Sequence, residues 1–270
     1  MTLRRVQNAL AILALAVTAL YVGRTLVGPT GIYASVLRDG VLVRLAGVAK
    51  LALLVLAYVH AKATTDRLER DNPARGPWRL LALAMGGFAL GQAVLTSYQL
   101  VRGASPFPSL GDVFFVAGYP LLIASFFGFI RTYREAGYPV GSAAEHTVIA
   151  VLVAVLAGLV AVPILRPVLA AGGTPTELFL NAAYPLFDFV LLVPMITLVR
   201  VAWPFRGGAI FNAWAALLGG VVAICAGDLL FAWFSMLGEV HLDPLLHGAY
   251  LVGYVCFALG TRLHRDLVTA

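Results

Sequence analysis

Four polar side chains, Lys50, Gln92, Asp188 and Asp228, lie deep inside runs of apolar residues. Counted from one end of their runs, Lys50 and Gln92 are about nine residues in, Asp188 about eleven and Asp228 about eight. At a rise of 1.5 Å per residue all four share a layer roughly 12–17 Å deep. Ionisable groups at membrane depth are costly and mark functional sites. Asn181 and His247 fall just above this layer, and Asp112, Glu177 and Asp243 fall at its rim. Lys50 is the cation of the layer, against two carboxylates. Pairing lowers the cost of burial for one of them; the second must be protonated, hydrated or bound to a cation. Two readings follow: a structural salt bridge that fixes helix packing, or a ligand or ion pocket open to the outside. Both place the Lys50 amine within direct or water-bridged reach of Asp188, Asp228 or Gln92.

Other constellations are weaker. His60 and His146 have the matched depth of a haem clamp, but both lie in the interface. His247 with Asp243 and Asp112 makes a loose metal set. No serine sits in an activated context that would complete a nucleophilic triad. A Schiff base on Lys50 with an Asp counter-ion rests on the charges alone. No catalytic residue and no cofactor is assigned, and the balance leans away from an enzyme. Cys225 and Cys256 lie in apolar segments, as inert buried thiols do, which argues against a disulfide framework.

The elements that must position these groups are membrane helices. The chain has 270 residues, 61% hydrophobic and 12% charged, with a mean hydropathy of +0.91. Soluble domains are roughly a quarter charged. Eight apolar runs lie near 6–27, 41–61, 78–101, 111–131, 144–165, 177–200, 210–236 and 244–262, each about long enough for a hydrocarbon core of about 30 Å. Short segments of alternating polarity, the signature of a membrane β-barrel, do not occur. The expected fold is an all-α integral membrane protein: one multi-pass domain over 1–270, with no soluble domain.

The net charge of +6 would suggest nucleic acid in a soluble protein. Here the arginines cluster in short loops at helix ends, so nucleic acid is not an expected partner; membrane lipids are. With the N-terminus inside, thirteen Lys and Arg fall on the inner side and five on the outer. This bias places both termini in the cytoplasm of a cell with this protein in its plasma membrane. Arg4 and Arg5 before the first run resemble a signal-peptide start, but no small-residue cleavage site follows, so that helix is expected to be retained.

The helices also show an internal repeat. Asp112 to Pro120 (DVFFVAGYP) matches Glu177 to Pro185 (ELFLNAAYP), and Asp243 to Tyr250 is a weaker third copy. In each an acid precedes a tyrosine by seven residues, two turns on one helix face. Trp78, Gly91 and Gln92 align with Trp214, Gly227 and Asp228 at a constant offset. Hairpins 3–4, 5–6 and 7–8 thus read as divergent copies. The acids suit helix N-terminal capping. Tyr119, Tyr184 and Tyr250 need hydroxyl partners, and Pro120 and Pro185 are expected to kink their helices.

The stretch Pro106 to Leu122, PFPSLGDVFFVAGYPLL, resembles the N-terminal multi-pass sensory region of bacterial GGDEF/EAL proteins, which make or degrade cyclic di-GMP, and of some histidine kinases. Ala183 to Asp188 (AYPLFD) and Gly227 to Phe231 (GDLLF) resemble two further stretches of that region, in the same order over roughly residues 75–260. The resemblance implies a membrane sensory input region, here without its output domain. Function is therefore expected to be that of a stand-alone sensory or ligand-binding module that signals through a separate partner. The alternatives are a small transporter or ion-coupled carrier, or an intramembrane lipid-modifying enzyme using Asp188 or Asp228 as base.

Overall fold

The computed structural model describes residues 3–28, 30–36, 39–237 and 243–269. Helix accounts for 87% of it, and no strand occurs among the described residues. The helices are α1 (Leu3–Val27), a single turn α2 (Ile32–Ser35), α3 (Asp39–Arg67), α4 (Arg75–Arg102), α5 (Leu110–Glu135), α6 (Ala143–Ala170), α7 (Pro175–Ala202), α8 (Ala209–Leu237) and α9 (Asp243–Thr269), with a 3-10 turn at Trp203–Phe205. In hydrocarbon every backbone polar group must be satisfied within the chain, and apolar runs of this length meet that demand as helices.

Seven of these helices are long and apolar enough to cross a bilayer, which makes the chain a multi-pass helical membrane protein. Eight spans are expected from the apolar runs; α9 does not meet the same measure over its described residues. Its run is diluted by His247, Tyr250, Tyr254, Arg262, His264 and Arg265.

Helix starts are written locally. Ser109 with Asp112, Ser142 with Glu145, and Thr174 with Glu177 each form a reciprocal capping box. The Ser/Thr oxygen accepts from an early backbone N–H, and the acid accepts from the cap's own N–H. α5 continues through Pro120, and α7 through Pro185 and Pro194.

Six helices close a ring. α3 packs on α4, α4 on α5, α5 on α7, α7 on α8, α8 on α9, and α9 back on α3. α1 lies outside against α9 and α3, and α6 lies outside against α7 and α8. The peripheral position of α6 matches its sequence: its most apolar window has a hydropathy of 3.0 and is only 11% buried. Lipid, not protein, covers most of it.

The α4–α5 seam is set by two glycines. A Cβ on Gly91 would sit 2.9 Å from the Gly111 carbonyl oxygen, and a Cβ on Gly111 would sit 2.9 Å from that of Gly91. Small residues let membrane helices approach this closely. The residues that follow the two glycines, Gln92 and Asp112, both line the cavity described next.

At the opposite end, α1, α3 and α9 are tied by a polar chain. Gln7 donates to the Ala258 carbonyl at 2.7 Å, its oxygen lies 2.7 Å from His60 Nε2, and Arg265 Nη1 lies 2.9 Å from His60 Nδ1. These partners fix the tautomer: Nε2–H donates to Gln7, and Nδ1 accepts from Arg265. Both nitrogens of His60 are engaged, and His146 Nε2 bonds the Val140 carbonyl at 2.8 Å. The two histidines therefore do not form the facing pair that a haem clamp requires.

Candidate ligand pocket

The ring encloses a cavity of about 190 Å³ that receives side chains from all six of its helices. Lys50 comes from α3, Gln92 and Gln99 from α4, Asp112 and Tyr119 from α5, Asn181, Tyr184 and Asp188 from α7, Asp228 from α8, and His247, Tyr250 and Tyr254 from α9. Ser105, Pro106 and Phe107 of the α4–α5 loop also line it, so the cavity reaches that end of the bundle. Helix periodicity explains the selection. Asn181, Tyr184 and Asp188 on α7, and His247, Tyr250 and Tyr254 on α9, are spaced three or four apart and share one face each.

At the centre is a carboxylate–phenol cluster. Tyr119 Oη lies 2.9 Å from Asp188 Oδ1 and 3.2 Å from Asp228 Oδ2, and Tyr250 donates to Asp228 Oδ1. One phenolic hydrogen cannot serve both contacts of Tyr119, and two ionised carboxylates against one phenol repel. Both contacts are met when one carboxyl carries a proton and donates it to the Tyr119 oxygen. Tyr119 is braced by Phe88 at 5.3 Å and stacked on Phe187 at 5.1 Å.

The acids of the repeat divide. Asp112 caps α5 with one oxygen, which accepts from the Ser109 backbone and hydroxyl, and accepts from Tyr184 at 2.6 Å with the other. It both caps and lines the cavity. Glu177 bonds Thr174 N and Oγ1 at 2.7 and 2.9 Å and is absent from the cavity wall. It takes the capping role that its place at the start of α7 suits, and the capping geometry turns its carboxylate back over that helix start. The side chain of Asp243 and the whole of His241 lie outside the described residues. Among the described residues no group of three His, Cys, Asp or Glu could hold a metal ion.

Lys50 lines the same cavity but makes its direct contacts elsewhere. Its amine lies 3.2 Å from His247 Nδ1 and 5.6 Å over the Tyr250 ring, with no salt bridge to either carboxylate among the described residues. An ammonium only donates, so Nδ1 accepts and the imidazole is neutral. Equal depth does not imply direct contact: Tyr250 meets the cation with its ring and Asp228 with its hydroxyl. Gln92 bonds Thr96 at 3.0 Å, and Thr96 bonds the Gly47 carbonyl at 3.1 Å, joining α4 to α3. Gln99 and Tyr254 also line the wall without having been singled out by depth. Tyr254 is four residues beyond Tyr250 on the same helix face, a signal the sequence does carry.

No family model, curated protein or solved structure matches the chain.

Proposed function

We propose that this chain is a membrane sensory or ligand-binding module, whose six-helix ring holds a small molecule in a pocket open to the outside and which acts through a partner protein. The observation that supports this best is the convergence of all six ring helices on one polar cavity within an otherwise apolar bundle. A purely structural bridge needs two helices. Here, groups from every wall meet in one space, so a molecule placed there senses or sets the arrangement of the whole ring. The resemblance of Pro106–Leu122 to sensory input regions points the same way.

In this reading α9 is an eighth span, both termini are cytoplasmic, and the α4–α5 loop faces outward across a plasma membrane. Hairpin duplication accounts for the recurrence of an acid and a tyrosine on α5, α7 and α9.

Native mass spectrometry of gently extracted protein tests the proposal. Wild type should carry a small-molecule adduct that Asp188→Asn/Asp228→Asn loses while remaining folded. An adduct unaffected by the double substitution, or folded wild type with no adduct after incubation in cell extract, contradicts it. Uptake of the molecule into proteoliposomes would favour a carrier instead, and a chemically altered lipid would favour an enzyme.

A further inference from the structure

We infer that the pocket takes a small amphoteric molecule, one that carries both an ammonium and a carboxylate, with the carboxylate held by Lys50 and the ammonium by the Asp188–Asp228 pair. The inference rests on the ligand-binding reading and names the class of ligand.

Its basis is a pair of opposite charges that share one buried cavity without touching. Lys50 is 4% exposed, Asp188 1% and Asp228 8%. Buried opposite charges ordinarily collapse into direct contact, because only their mutual attraction offsets desolvation. Here Lys50 lies over one face of the Tyr250 ring, while Asp228 accepts from that ring's hydroxyl. Each side is left short of partners. The ammonium has three hydrogens, and His247 takes one. Asp188 Oδ2 and Asn181 Oδ1 are buried acceptors with no protein partner. Buried polar atoms are rarely left so, and a cluster of them around a cavity marks what the cavity is shaped to hold.

Charge narrows the class. With one of the two acids protonated toward the Tyr119 oxygen, the pair bears about one negative charge, and Lys50 bears one positive charge. Asp112 is already met by three donors and the start of α5. A neutral zwitterion therefore complements both walls, whereas a simple cation faces Lys50 and a simple anion faces the acids. The aromatic wall, which includes Phe88, Phe115 and Phe231, suits a short hydrocarbon spacer between the two charges.

The test is binding by purified protein in nanodiscs to the ω-amino acids from glycine to 6-aminohexanoate, each compared with the alkylamine and the carboxylic acid of the same length. At one spacer length the amphoteric probe should bind at least tenfold more tightly than either single-charge analogue. Lys50→Met should reduce it to the level of the amine, and Asp188→Asn to the level of the acid, in variants whose unliganded melting temperature shows them folded. An amine or acid that binds as well as the matched amphoteric probe overturns the class while leaving the pocket reading intact. No binding by any amphoteric probe to folded wild type also overturns it, and a native adduct that still depends on Asp188 and Asp228 then shows that the pocket reading survives.

Discussion

Asp228→Ala should lower the unfolding free energy by about 3 kcal/mol, while Asp228→Asn should cost about 1 kcal/mol or less. Asp228 lies against the hydroxyls of both Tyr119 and Tyr250. Alanine strands the Tyr250 hydroxyl in a buried site and removes one of the two carboxyl contacts of Tyr119. Each unsatisfied buried group costs about 1–3 kcal/mol. Asparagine keeps an acceptor for Tyr250 and offers an N–H to the Tyr119 oxygen, so the network closes again. Denaturant titration in mixed micelles separates the two variants. Equal stability of Asp228→Ala and wild type would mean that water replaces the carboxylate without loss, and that the cluster does not hold the ring together.

Gly91→Val should cost about 3 kcal/mol and should also impair the pocket. The new side chain meets the Gly111 carbonyl and the Phe115 ring. Backbone cannot rotate away, so α4 and α5 must separate. That shift moves Gln92 and Asp112 apart, since each follows a seam glycine on its own helix. Gly158→Val on α6 is the matched control, because a Cβ there meets nothing within 4 Å; it should change stability by no more than about 0.5 kcal/mol. Thermal unfolding of the two variants side by side gives the comparison.

The membrane class was legible because hydropathy is additive along the chain. The depth of Lys50, Gln92, Asp188 and Asp228 was legible because the helix rise is constant. What depth counting cannot supply is azimuth. Whether Lys50 meets Asp228 or His247 depends on which helices are neighbours, and the ring order α3–α4–α5–α7–α8–α9 passes over α6, which no local signal marks as peripheral except its uniform apolarity. The capping role of Asp112 and Glu177 was legible from their place at helix starts. The Ser/Thr-x-x-acid spacing that completes the boxes at Ser109, Ser142 and Thr174 was there to read and was not used. For Glu177 the cap forms through local bonds that need no tertiary partner. The bridge from Tyr119 to Asp188 and Asp228 spans three helices, and nothing in a one-dimensional pattern joins them.

That the ring encloses a ligand pocket reachable from outside is tested most directly by thiol accessibility at Asn181, which lines the cavity two turns nearer the start of α7 than Asp188. Asn181→Cys is placed in a Cys225→Ala, Cys256→Ala background, and intact cells receive a membrane-impermeant maleimide. Leu159→Cys on α6, 71% exposed on the lipid-covered face, is the negative control. The pocket predicts labelling at position 181 and none at 159, with labelling at 181 slowed by a bound molecule. A folded Asn181→Cys protein that stays unlabelled from outside would contradict the pocket and leave the buried cluster as a device for helix packing alone.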